Sequence, residues 1–343
     1  MVTQRDIARR AGLSQMAVSL ALRHHPTVSA STIHRVDKIA RELGYRPNPL
    51  VSALMAQRNR PKESAFQAKI AFLTAFPERD EWRLSAYAAG CYRGAQAAAL
   101  TRGYVCEPIW LREPGMSASR LSKILWTQGF QGLLVGPLPV NSLKLELEWT
   151  RFAAISLDYS IADPVLHRVV DDHAVGIERV LGEILRRGYG RPGLVLRASQ
   201  DVRTHHGRLG AFMVHRSLQP KWAHVPPLIL PEDRWNTEIF SEWLVRERPD
   251  VVLTEEMQLP AAVAALGLKV PRDLGIAFFH KDRPARHLSG LQVNSEQVGR
   301  IATNVLMRMI ETNERGAATV PATTLLSSFT WDAGRTLRRV PAS

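Results

Sequence analysis

The stretch Thr3–Leu22, TQRDIARRAGLSQMAVSLAL, constrains the chain more than any other. Thr3 with Asp6 three residues on has the pattern of a capping box. Ile7, Ala8 and Ala11 then fall on one stripe at helical spacing. Gly12 suits the left-handed exit of a helix. Ser14 is a strong N-cap for a second helix, Gln15 to Leu22, whose Val18, Ala21 and Leu22 face inward. Its first outward side chains, Gln15, Met16 and Ser19, are short enough to meet base edges. Two short helices joined by Gly12-Leu13-Ser14 make a helix-turn-helix, a unit whose second helix enters a DNA major groove.

The following residues extend this unit. Ser29 caps a third helix to about Leu43, with Ile33, Val36, Ile39, Ala40 and Leu43 inward and Gly44 as its stop. Tyr45-Arg46-Pro47-Asn48-Pro49 leads into Leu50–Ala56, where Asn48 as cap and Pro49 at the first helical position predict a short fourth helix. DIARRAGLSQMAVS, VSAST and ELGYRPNP, in that order, resemble the DNA-binding domain and hinge of the lactose-repressor (LacI/GalR) family of transcriptional regulators, from Val2 to about Ala56.

Charge agrees with a DNA-reading head. Met1–Lys62 holds 11 Lys and Arg against 3 Asp and Glu, so +8 of the chain's +13 sits there, and the rest carries +5. Basic charge concentrated on one small domain suits a phosphate backbone. No apolar run approaches ~20 residues, no signal-peptide core precedes the first helix, and no basic amphipathic helix suggests a membrane partner. Cys91 and Cys106 are too few and too isolated for a disulfide framework or a zinc site. The expectation is a cytoplasmic, reduced protein without metal or cofactor.

Gln57–Ser64 reads as a linker, and beyond it strands alternate with helices. Strands are expected over Lys69–Ala75, Gly132–Gly136, Phe152–Leu157, Gly193–Arg197, Asp250–Thr254 and Gly275–Phe279. Helices are expected over Tyr87–Arg102, Leu121–Gln128, Ala174–Arg187, Gly207–Leu218, Ile239–Glu247 and Pro260–Leu266. Such alternation implies parallel sheets with right-handed crossovers. RLSKIL with GFQGLLV, SLD with VVDDHAVGIERVL, VPRDLGIAFF, and Leu291–Leu306 also resemble segments of the same family's core. The resemblance implies an all-α helix-turn-helix domain (1–46), a hinge helix and linker (47–66), and an α/β periplasmic-binding-protein-like core of two Rossmann-like lobes (67–343). The N-lobe is expected at about 67–160 and 289–321, and the C-lobe at about 161–288 and 322–340.

The resemblance also assigns roles. Gln15 and Met16 match base-contacting positions. Leu20 stands where many members place a polar reader, which implies an apolar or shifted contact. Ser14, Ser19, Ser29 and Thr32 match phosphate contacts, Arg23 is placed to join them, and Asn48 and Leu54 match the hinge that enters the minor groove. One reading head spans few base pairs, so a homodimer on a palindromic operator is expected. In the core, Asp172, Arg208, Glu255, Glu256, His280 and Lys281 fall near the family's effector positions. Aspartates that usually hold sugar hydroxyls are replaced here, His280-Lys281 standing where Asp-Asp is usual. That replacement argues against a neutral sugar; the expected effector is a sugar derivative or an anionic metabolite, and a cleft without a ligand stays open as an alternative.

The function implied is a sequence-specific repressor modulated by a small molecule, with an activator or ligand-independent regulator as the alternative. An enzyme would have to gather His205-His206, Asp171-Asp172-His173, Glu255-Glu256 and His280. None shows His-Glu-x-x-His spacing, and no nucleophile elbow or phosphate loop is present. A solute-binding protein would share the cleft but needs export. The C-terminus lacks leucine heptads, so no tetramerising coiled coil is expected.

Overall fold

The computed structural model describes residues 2–22, 28–45, 68–139, 143–231, 235–281, 285–316 and 321–340. The hinge helix and linker expected over 47–66, with Asn48 and Leu54, and the proposed phosphate contact Arg23, lie outside the described residues.

The head consists of α1 (Gln4–Ala11), α2 (Gln15–Ala21) and α3 (Ala30–Glu42). Asp6 accepts hydrogen bonds from the Thr3 amide and hydroxyl at 2.9 and 2.7 Å, holding the first turn. Those bonds keep its carboxyl below the usual range. Gly12 takes φ +63°, which turns the chain out of α1. Ile7, Ala8, Val18, Ala21, Val36 and Ala40 form the core, with Leu13, Ile33, Leu43 and Tyr45 against it. Arg35 donates to the Ala11 carbonyl at 2.9 Å, satisfying an end of α1 from α3.

From Ala68 onward the chain alternates. The first run is β1 (Ala68–Thr74), α4 (Ala86–Leu100), β2 (Tyr104–Trp110), α5 (Ala118–Thr127), β3 (Phe130–Val135), β4 (Leu143–Lys144), β5 (Ala153–Leu157), β6 (Ile161–Asp163) and β7 (His167–Asp171). The second is α6 (His173–Arg186), β8 (Pro192–Arg197), α7 (Ala198–Arg203), α8 (Gly207–Ser217), β9 (Leu228–Leu230), α9 (Thr237–Glu247), β10 (Val251–Thr254), α10 (Leu259–Ala265), β11 (Gly275–Lys281) and β12 (Gly290–Gln292). The chain closes with α11 (Ser295–Glu311), β13 (Thr324–Ser327) and β14 (Thr330–Asp332).

Two six-stranded sheets result, ordered β13-β7-β5-β3-β1-β2 and β14-β12-β11-β10-β8-β9. The first is parallel throughout; in the second only β14 runs antiparallel, against β12. Successive residues of β1 serve opposite faces, as the two-residue period of a strand requires. Ile70 and Phe72 join α4 and α11 in one core, and Ala71 and Leu73 join α5 in the other. Helices on both faces explain why these strands read as unbroken apolar runs.

Sheet membership moves the lobe limits from those read in the sequence. His167–Asp171, expected in the C-lobe, is a strand of the first sheet, and Gly290–Gln292, expected in the N-lobe, is a strand of the second. Thr324–Ser327 likewise returns to the first sheet. The chain thus passes between lobes after Asp171, after Gln292 and after Ser327. Parallel strands pair through long-range crossovers, so the pairing partner of a short strand is not written in its own residues.

One seam is unusually close. A methyl on Gly94 would lie 1.9 Å from the Glu296 carbonyl oxygen, and one on Gly299 1.9 Å from that of Cys91. Backbone approaches backbone where α4 meets α11, and only glycine fits. Among the described residues no helix is long and apolar enough to cross a membrane.

Candidate functional site

The outer surface of the head carries the sequence-predicted DNA residues. Ser14 caps α2, accepting from the Ala17 amide at 3.1 Å, and Ser29 caps α3, accepting from Thr32 at 3.3 Å. Ser29 and Thr32 also share a 2.8 Å hydroxyl contact. Gln15 is exposed and Met16 is 75% exposed, which is unusual for so apolar a side chain on a small domain. Ser19 and Leu20 are half-buried one turn further on. The sequence reading omitted Arg5. Its Nε donates to Gln15 Oε1 at 3.2 Å, leaving the Gln15 amide nitrogen to face outward as a donor. That contact links two helices, so nothing local announces it.

The second site is a cleft of about 470 Å³ between the sheets, at the C-terminal ends of their strands. This is where doubly wound folds bind ligands. Phe76, Tyr87, Leu138 and Asp158 line it from the first lobe, and Arg197, Arg203, Arg208, Glu255, Glu256 and His280 from the second. Of the six residues expected there, Arg208, Glu255, Glu256 and His280 are brought together and two are not.

Asp172 is the N-cap of α6, its Oδ1 accepting from the Val175 amide at 3.2 Å, and it does not line the cleft. The acid at the cleft is its neighbour Asp171. Lys281 is fully buried, its ammonium donating to the Ala285 and Leu288 carbonyls and pairing with Asp332 at 2.7 Å. Strand alternation turns it to the face opposite His280. Its partner lies 51 residues away, beyond the reach of a local reading.

Each arginine of the cleft is matched by a carboxylate. Arg197 holds Glu256 through two bonds of 2.6 and 2.7 Å. Arg208, only 4% exposed, meets Glu255 at 2.6 Å and stacks over Phe279 at 5.2 Å. Arg203 faces Asp158 at 3.0 Å. His280 is no cation: burial first, and Arg208 second, hold its pKa down at about 3. His173 is lowered in the same way. Burial raises Asp171 to about 7, against the Tyr87 hydroxyl, which favours the carboxylate. Its Oδ1, the Arg208 Nε and the Glu255 Oε1 are buried without a hydrogen-bond partner, so the wall retains unused donor and acceptor capacity. Among the described residues no group of acidic, Cys and His side chains could hold a metal ion.

A helix-turn-helix head followed by a cleft protein with three interlobe crossings defines a DNA-binding transcriptional regulator. Residues 3–48 match the family model described as bacterial regulatory proteins, lacI family. That match falls on the helix-turn-helix head. It is 24% identical over 330 residues to the HTH-type transcriptional repressor PurR of Klebsiella pneumoniae (strain 342), covering 90% of this chain and 91% of the relative. A PurR of Proteus mirabilis (strain HI4320) is 23% identical over 338 residues, covering 93% and 94%. The fold is similar to that of the lac repressor dimer bound to operator and the anti-inducer ONPF, at TM-score 0.59 and 17% identity, covering 98% and 99% of the two chains. It is also similar to the regulator CelR in complex with cellobiose, at TM-score 0.56 and 17% identity over 97% and 100%. A putative LacI-family regulator from Rhizobium etli gives TM-score 0.62 at 16% identity, over 80% and 100%.

Proposed function

We propose that this protein is a repressor that binds a palindromic operator as a homodimer and answers to a small molecule held between its lobes. The observation that carries this reading is the outward pair Gln15 and Met16 on a capped recognition helix, in a head joined to a two-lobed cleft. Gln15 can hydrogen-bond an adenine edge and Met16 can cover a thymine methyl. Ser14, Ser19, Ser29 and Thr32 then position the head on the phosphates. The lac repressor structure is a dimer on operator, which supports the same assembly here.

For the effector, the cleft favours an uncharged polar molecule, such as a sugar derivative, over an anionic metabolite. The three arginines are already paired, His280 is neutral and Lys281 is turned away. An anion would have to sit beside the carboxylate that each guanidinium already faces. Hydroxyl groups can instead meet the unpartnered oxygen and nitrogen atoms.

In-vitro selection of DNA by the full chain tests the regulator reading: a palindrome should be enriched, and its absence would overturn it. A thermal-shift panel of neutral sugars, sugar acids, phosphates and nucleobases tests the effector. A ligand at 100 times its Kd should add about 2.7 kcal/mol of stability. A shift confined to the acidic compounds would overturn the uncharged assignment.

A further inference from the structure

We propose that Arg203 is a latch that holds the two lobes together with no effector bound, so that closure is built into this chain. The inference rests on contacts that cross the cleft and goes beyond the regulator reading. Arg203 ends α7 in the second lobe. Its guanidinium donates to Ser160 Oγ at 2.6 Å and to the Leu138 carbonyl, and lies 3.0 Å from Asp158 Oδ2. All three partners belong to the first lobe, following β3 and β5. Ser160 is fully buried and also accepts from the Leu138 amide at 3.0 Å. One planar, always-charged group thus hydrogen-bonds two acceptors on the opposite wall through Nη2 and forms an ion pair with a third, Asp158, while its Nε has no hydrogen-bond partner.

The backbone around the latch is shaped for it. Among the described residues five non-glycine residues have positive φ, and three of them, Asp158, His205 and His206, sit at this contact. Left-handed backbone at side-chain-bearing residues persists where surrounding contacts hold it, and it gathers at switch regions. On one side, Asp158 Oδ1 accepts from the Tyr159 amide at 2.7 Å, leaving Oδ2 to face Arg203. On the other, the buried Asp201 takes the His206 ring at 2.6 Å and the Leu209 amide at 3.3 Å, fixing the turn that follows Arg203. The rings of Tyr159 and His205 then meet edge to face across the gap, with centroids 4.8 Å apart. Both lobes therefore present preset surfaces that fit each other.

The consequence for regulation is specific. The closed population is set by Arg203 rather than by ligand.

Single-molecule energy transfer across the cleft tests this. Dyes are placed at Ser119→Cys in the first lobe and Glu242→Cys in the second, both exposed, and labelled chains are diluted into an excess of unlabelled full-length chain after exhaustive dialysis. The unliganded protein should show one dominant high-transfer state. Arg203→Ala should raise the open-to-closed ratio by more than about tenfold, with Arg203→Lys between the two. Asp158→Asn and Ser160→Ala, which each remove one partner, should shift it in the same direction by less. They decide the matter if Arg203→Ala fails to fold. Identical distributions in the unaltered chain and in folded latch variants would overturn the proposal, as would an unliganded protein already mostly open. Either result with operator binding intact would leave the regulator reading standing.

Discussion

Glu256, whose side chain is 1% exposed, receives both hydrogen bonds of its bidentate pair from Arg197 at the end of β8, the strand adjacent to β10. Its amide is held in turn by Thr254 Oγ1 at 2.9 Å. Arg197 thus holds the carboxylate and Thr254 the backbone of Glu256, while the arginine keeps part of its surface in solvent. Glu256→Ala should cost about 2 kcal/mol in urea unfolding, below the range for a wholly buried pair because Arg197 can rehydrate. Glu256→Gln, which keeps an acceptor, should cost less.

Asp171 makes a pH-dependent contribution of known sign. Its pKa rises on folding to about 7, so between about pH 4 and 7 the folded state holds a proton that the unfolded state has lost. This term is therefore harmless in acid and reduces stability as pH rises through that window. Relative to the unaltered chain, Asp171→Asn should gain stability by at most about 1.4 kcal/mol per pH unit from pH 4 to 7, and nothing further above it. His280, held down at about 3, acts the other way: its contribution is full above about 6.5 and is lost as pH falls toward 3. Unfolding curves of His280→Gln and Asp171→Asn across pH 4–8 separate the two.

In the head, Gly12 has φ +63° and empty space where a methyl would go. Gly12→Ala should therefore cost about 1–2 kcal/mol through backbone strain alone, with Gly12→Asn milder. The melting temperature of the isolated transition assigned to the head is the readout.

At the α4–α11 seam the obstacle is different. Gly299→Ala would drive a methyl into the Cys91 carbonyl, which no rotamer change can relieve. A loss of about 3 kcal/mol or more is expected, and calorimetry should place it in the core and leave the head transition unmoved.

Gln15→Ala should reduce discrimination at one base step of the operator by about 1–3 kcal/mol and leave the salt dependence of binding nearly unchanged. A phosphate-contacting residue should show the reverse. Competition binding at several salt concentrations distinguishes them.

The head was legible because its signals are local. Thr3 with Asp6, Gly12, Ser14 and Ser29 each act within a few residues, and the inward stripe follows from helical spacing. The cleft was half legible. Arg208, Glu255, Glu256 and His280 follow strands or open helices at the sheet ends, where a doubly wound fold puts its ligand wall. Asp171 and Asp172 are adjacent acids, and only the crossover after β7 decides which one caps a helix and which one faces the cleft. Lys281 looked like a free cation until Asp332 on β14 claimed it. Arg203 passed unremarked, since its partners come from two separate turns of the opposite lobe.

The glycine seam also bears on the order in which the chain can mature. Ala302, Leu306 and Met309 of α11 complete the core that holds Ile70 and Phe72 near the start of the first lobe. That lobe cannot finish packing until α11, and then β13 to Ser327, have emerged from the ribosome. The head, whose contacts all fall within 45 residues, is complete long before. A nascent chain of this protein therefore displays a finished DNA-reading surface while the part that would govern it is still being made.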